Sequence, residues 1–301
     1  MPDKWIDLCD PSEQDLRAVL PEGIHDLTLL RILQPATSEE PRPRLEVRDR
    51  YIFGVLVIPA ITDDDGFVAH EVDLVATPEK LITVRKSPPG QNACGFDAAR
   101  DTAVQQDASP GECLWSLFDE IAERFLDLID GFNEQIDQLE DDVAGDLRSP
   151  EIRQRISDIR HDILHVRRVL APTRDAARAI LDDRVELEPE TLFPREIELH
   201  FADAYDKLLR ATDGLDLSRD LLAGVRDYLQ AEIANDQNEV MKKLTVIASV
   251  LLAPTFIVGL YGQNFFHMPE LHWQYGYLYS WGLILIVTAL QLMYFRRKRW
   301  I

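Results

Sequence analysis

GLYGQNFFHMPELHWQYGYLYSWG, residues Gly259–Gly282, is a polar, aromatic-rich turn set between two uncharged apolar runs. The runs are LTVIASVLLAPTFIVGL (Leu244–Leu260, 17 residues) and YLYSWGLILIVTALQLMYF (Tyr277–Phe295, 19 residues). Crossing roughly 30 Å of hydrocarbon as a helix takes about 20 apolar residues, so both runs read as membrane spans once their flanks are added. Tyr275, Tyr277, Tyr279 and Trp281 form an aromatic collar at the start of the second run, and Arg296, Arg297, Lys298 and Arg299 close it. These are the residue types that anchor a span at the interface. Lys242 and Lys243 precede the first run. Positive charge at both outer ends predicts that the N- and C-termini are cytoplasmic and that only residues near 261–276 face outside.

The two runs differ in character. In the first, Met241, Thr245, Ala248, Leu252, Thr255 and Gly259 recur three and four residues apart and share one helix face. Pro254 has no N–H to give to the carbonyl of Val250, a group tolerated in lipid only where protein or water satisfies it. The second run is rich in Leu, Ile and Val with isolated Thr288 and Gln291, and reads as lipid-facing. One small-residue helix cannot enclose a pore, so a pore requires a ring of subunits.

Composition narrows the function classes. The net charge is −21, which argues against a nucleic-acid binder, since phosphates need a basic face. It suits a cytosolic part that meets cations, although acidity also serves solubility. Mean hydropathy is −0.17, an average that hides segregation, because Glu270 is the sole acidic residue between 244 and 295. Cys9, Cys94 and Cys113 show no paired spacing, as expected in a reducing compartment. The N-terminal MPDKWIDLCDPSEQD has neither a signal core nor transit character.

Before the spans the chain reads in three parts. YIFGVLVIPAI (51–61) and HEVDLVATPEKLITVRKS (70–87) have strand composition, and Ser12 opens a short capped helix. No Gly-rich phosphate loop and no nucleophile–base spacing is present, so neither an enzyme site nor an ATP site is expected. From Gly111 the period becomes helical, with Leu114, Phe118, Ile121, Phe125, Leu128, Phe132, Ile136 and Leu139 inside and a strongly acidic opposite face. A second, more basic helix opens at Ser149–Pro150 and can lie antiparallel to the first; its His161 and His165 have metal-ligand spacing but no third ligand. From Glu196 onward no proline interrupts the pattern until Pro254, and Gly214 and Gly224 weaken it by only about 1 kcal/mol each. The result is a stalk helix continuous with the first span, on the order of 90 Å long.

NEVMKKLTVIASVLLAPTFIVGLYGQNFFHMPELHWQYGY, followed by MYFRRKRWI, resembles the C-terminus of the CorA family of divalent-cation transporters. That family carries a Tyr-Gly-Met-Asn-Phe signature after its first span, then a Met-Pro-Glu-Leu loop and a basic tail. The likeness extends more weakly to WIDLCDPSEQD, RPRLEVRDRYIFGVLVIP and LWSLFDEIAERFLDLIDGFNEQIDQLEDDV. Gln263 stands where the signature has Met.

The resemblance implies an α+β cytoplasmic domain (1–110), a helical hairpin (111–195), a stalk helix (196–243), a pore-lining span (244–262), an external loop (263–276), a second span (277–295) and a cytoplasmic tail (296–301). It implies a homopentameric funnel in the bacterial inner membrane that handles Mg2+, with Co2+ and Ni2+ as further ions and no other cofactor. Gly262, Gln263 and Asn264 would bind the hydrated ion outside, and Glu270 would concentrate cations there. Asn238, Met241, Leu244, Thr245, Ala248, Leu252, Thr255 and Gly259 would line or gate the path, and Asp203 would bind the regulatory cytosolic ion. The alternatives are a ZntB-like zinc transporter, with or without proton coupling, and a membrane-anchored cation sensor that conducts nothing.

Overall fold

The computed structural model describes residues 4–36, 41–61, 66–88, 93, 95–145, 150–187, 192–263, 268 and 272–300. Two compact units divide the chain, residues 1–226 and 227–301.

The first unit is built on a five-stranded sheet of β1 (Trp5–Cys9), β2 (Arg44–Arg48), β3 (Tyr51–Ile61), β4 (Phe67–Ala76) and β5 (Leu81–Arg85). Its order is β1-β5-β4-β3-β2, antiparallel except for the parallel β1–β5 pair. β3 and β4 are the central strands, and their Val/Ile/Leu-rich sequences are buried on both faces, as strands covered by helices must be. The stretch 70–87 holds most of β4 and all of β5. Thr77 and Lys80 turn between them, with Thr77 N–H donating to Lys80 O at 3.0 Å.

On one face lie α1 (Glu13–Val19) and α2 (Asp26–Leu33), whose Leu16, Leu29 and Ile32 pack with Tyr51, Phe53, Val55, Val75, Ile82 and Val84. Ser12 caps α1: Asp15 N–H donates to its hydroxyl at 3.3 Å and Ser12 N–H donates to the Asp15 carboxylate at 3.1 Å. The same face buries a charge cluster. Lys86 Nζ lies 2.8 Å from Glu71 and 2.7 Å from Asp73, with the three side chains 3%, 6% and 0% exposed. Burial pushes the Asp73 carboxyl up to about 6, against the pull of Lys86, and the neighbouring Glu71 charge pushes the same way.

The other face carries α3 (Asp97–Gln105), α4 (Pro110–Gly145) and α5 (Pro150–Leu181). Here Trp5 Nε1 donates to Thr83 Oγ1 (3.1 Å), Thr83 donates to Asp7 (2.7 Å), and Arg85 pairs with Asp7 (2.7 Å). The parallel β1–β5 pair is thereby pinned by side chains.

The first part of α6 (Arg195–Tyr261) completes the unit. Phe118 packs edge-on to Phe201, Lys207 reaches Asp119, and Ser218 donates to Asn133 at 2.7 Å, so α4 and α6 run parallel. Arg167 on α5 faces Asp216, and Arg155 pairs with Asp142 across the α4–α5 hairpin. α6 is continuous through Gly214 and Gly224. Gly214 also has a packing role, because a Cβ there would stand 3.1 Å from Ile129 Cγ2.

The second unit holds the rest of α6, from residue 227, and α7 (Gly276–Arg297).

Candidate functional site

Both helices of the second unit are long and apolar enough to span a membrane, and only 6% of either apolar window is buried within the chain. α6 remains helical through Pro254. Between 244 and 260 its less exposed positions are Val246, Ser249, Val250, Ala253, Pro254 and Ile257, and Gln291 of α7 donates to the Ser249 carbonyl at 3.2 Å. Asn238, Met241, Leu244, Thr245, Ala248, Leu252, Thr255 and Gly259 are all exposed. By 100° per residue, the centre of the packed face lies roughly 150° around the helix from this stripe. The hydroxyls of Thr245 and Thr255 donate to the carbonyls of Met241 (2.8 Å) and Leu251 (2.7 Å). Their lone pairs therefore remain available as acceptors.

At the end of α6, Gly262 N–H closes on Val258 O (2.9 Å) and Gln263 N–H on Leu260 O (3.4 Å), so the Gly-Gln pair forms the turn that leaves the helix. Gly262 and Gln263 are exposed. Asn264 and Glu270 lie outside the described residues.

Asp203 is an exposed residue on the first part of α6. It borders an open groove of about 520 Å3 together with Trp115, Asp119, Asp206, Lys207, Leu209 and Arg210. Lys207 sits 2.7 Å from Asp119 and 2.5 Å from Glu123. Burial works to lower its pKa, but the hydrogen bonds and charges of the two carboxylates outweigh it and hold the ammonium above its usual range. Asp203 and Asp206 take part in no ion pair among the described residues. There is likewise no group of three His, Cys, Asp or Glu poised to hold a metal among those residues. The His161 and His165 rings meet at a tilt, with centroids 4.0 Å apart and an interplanar angle of 48°. Cys9 is exposed, and burial pushes the Cys113 thiol up to about 11; Cys94 lies outside the described residues.

Two features had no counterpart in the sequence analysis, and a third, Gln291, stood there in a run read as lipid-facing although its amide meets α6. Lys207 could have been suspected as a cation opposite an acidic helix. The Glu71–Asp73–Lys86 cluster gave no signal, because charges in a strand ordinarily point to solvent.

A mixed sheet with helices on both faces, the long helix α6 that continues into an apolar stretch, and a second apolar helix define a membrane protein with two C-terminal spans. The sequence matches the family described as "CorA-like Mg2+ transporter protein" over residues 4–297, and the chain belongs to that family. Its members are transporters rather than enzymes. The chain is 28% identical to the Cobalt/magnesium transport protein CorA of Thermotoga maritima, covering 99% of this chain and 83% of the relative. It is 27% identical to the Putative metal ion transporter YfjQ of Bacillus subtilis, over 98% and 89%. The complete CorA magnesium transporter structure from Methanocaldococcus jannaschii shares the fold with a TM-score of 0.80 at 21% identity, over 99% of this chain and 91% of that one. The ZntB cytoplasmic domain from Vibrio parahaemolyticus has a TM-score of 0.55 at 15% identity, over 77% and 88%.

Proposed function

We propose that this divalent-cation transporter is a Mg2+ channel that also passes Co2+ and Ni2+, assembled as a homopentamer in the bacterial inner membrane with both termini cytoplasmic. The observation that supports this most is the face of α6 left uncovered by α7. It carries Asn238, Met241, Leu244, Thr245, Ala248, Leu252, Thr255 and Gly259, all exposed. Around a five-fold axis these side chains would form stacked rings, with Thr245 and Thr255 as acceptors and Met241, Leu244 and Leu252 as apolar constrictions that gate by dewetting. Mg2+ gives up its waters reluctantly. Asn264, with Gly262 and Gln263, would accept hydrogen bonds from the still-hydrated ion, and Glu270 would raise its local concentration. The driving force is electrical: two charges crossing 100 mV gain about 4.6 kcal/mol.

Asp203 would sense cytosolic divalent ions between subunits, since carboxylates brought together without a counter-ion repel. The names of the T. maritima and B. subtilis relatives favour a metal ion as cargo. The ZntB likeness is one of fold and covers a cytoplasmic domain, so zinc is an arm of the test. The test is ion flux into proteoliposomes, comparing Mg2+ with Zn2+ at two pH gradients. Voltage-driven Mg2+ flux indifferent to the pH gradient is expected. Flux of Zn2+ alone that follows the proton gradient would replace this reading, and ion binding without flux would make the chain a membrane-anchored sensor.

A further inference from the structure

Lipid tails are as apolar as leucine, so burial alone does not select which side of an apolar spanning helix meets its neighbour. α6 between 244 and 260 is apolar around most of its circumference, as is α7. A polar contact can make the selection that burial cannot. Gln291 supplies it: Nε2 donates to the Ser249 carbonyl at 3.2 Å, while Oε1 is buried with no hydrogen-bond partner among the described residues. Ser280, another polar side chain of α7, donates to Tyr277 O within its own helix. An amide is costly to place in hydrocarbon, and one turned inward between helices marks a contact that function holds in place.

The location of this contact matters. Ser249 lies five residues before Pro254, and Val250, the next residue, is the one whose carbonyl loses its helical donor to the proline. The stretch just before the weakest point of the α6 ladder is therefore the stretch held by α7.

We propose that Gln291 is a positioning residue for transport. Its amide fixes the rotation of α6 about its own axis, so that the stripe from Met241 to Gly259 turns away from α7. A slip by one residue would rotate α6 by about 100°. Thr245 and Thr255 would then leave the stripe's direction, and neighbours without a hydroxyl, Leu244 or Val246 and Pro254 or Phe256, would take their place. The consequence for flux rests on the channel reading above; the clamp itself does not.

The experiment uses the full chain in proteoliposomes, with the native cysteines replaced and single cysteines introduced in turn at 244–256. Gln291→Met keeps the length of the side chain and removes the amide. Maximal flux is expected to fall roughly threefold or more, the shift an average interhelical hydrogen bond supports. The half-saturating ion concentration and the Mg2+-to-Co2+ preference should stay unchanged. Modification of the cysteines by a lipid-soluble maleimide should lose its helical periodicity. Gln291→Glu should restore flux and periodicity in mildly acidic buffer, where a carboxylic acid can donate to Ser249 O, and lose both in alkaline buffer. Wild-type flux and labelling pattern in Gln291→Met would overturn the proposal, as would a loss confined to the amount of folded protein. If the parent chain carries no flux, the channel reading fails and the maleimide pattern alone decides the clamp.

Discussion

Lys86→Met is the substitution whose cost is best defined by the structure. The ammonium holds Glu71 and Asp73 together in a site where all three side chains are nearly inaccessible. With Lys86 present, the Asp73 carboxyl is pushed up from 3.8 to about 6, chiefly by burial. A raised carboxylate pKa favours the folded state most below the unfolded value. That stability is lost as pH rises from 3.8 to about 6 and does not change further above. Keeping Asp73 ionised thus costs the parent chain roughly 3 kcal/mol at neutral pH, at about 1.4 kcal/mol per unit. Without the ammonium, Asp73 must stay protonated, so its pKa rises further and the parent's plateau above about 6 becomes a slope of about 1.4 kcal/mol per pH unit. At pH 7 the added loss should be about 3–5 kcal/mol, the usual cost of orphaning a buried charge. For a unit of this size that corresponds to roughly 6–20 °C in Tm. The assay is thermal unfolding of the detergent-solubilised chain, followed by Trp fluorescence between about pH 5.5 and 8. Asp73→Asn in the Lys86→Met background should recover part of the loss at pH 7 and remove most of its pH dependence, because an amide needs no proton to stay neutral in the buried site. A Lys86→Met chain whose Tm is unchanged and flat with pH would refute the reasoning.

Other expectations follow from single contacts. Gly111→Ala would put a Cβ 2.3 Å from the Leu192 carbonyl, a backbone atom that cannot swing aside, and Tm should report a loss of about 1–3 kcal/mol. Asn264→Ala should abolish Mg2+ uptake into proteoliposomes, whereas Gln263→Met should retain it. Asp203→Ala should leave inward flux no longer suppressed by cytosolic Mg2+; equal suppression in the variant would rule out the sensor role.

Much of this architecture was legible because long, strictly periodic segments announce themselves. The apolar face of α4, from Leu114 to Leu139, and the run to Pro254 needed only the 3.6-residue period, and α6 is indeed unbroken. β1, β2, α2 and α3 are short, and their identity depends on partners far away in sequence. Trp5–Cys9 is a strand because it lies beside Leu81–Arg85 and is tied there through Trp5, Asp7, Thr83 and Arg85. Periodicity also gave the stripe on the first span, but not which way it faces. The period relates Met241 to Thr245 and Ala248 without reference to α7, and the azimuth depends on one amide in another helix.

The acidity of the first unit can be divided into charge that is already answered and charge that is not. Asp119 and Glu123 are answered by Lys207, a cation bound covalently to the chain and kept protonated by those same two carboxylates. Their contact between α4 and α6 therefore does not depend on the ions in solution. Asp203 and Asp206 stand on the rim of the same groove, outside any described ion pair. If copies of the chain surround a common axis, mutual repulsion grows only with the unanswered carboxylates, and only those respond when cytosolic divalent ions bind or leave. Screening at physiological salt limits such repulsion to charges within about 8 Å of one another. The response must therefore arise from carboxylates that meet across subunits, not from the overall charge of −21. On this argument Lys207→Met should enlarge the set of ion-dependent carboxylates, and a Mg2+-dependent rise in Tm, small in the parent chain, should become larger in the variant.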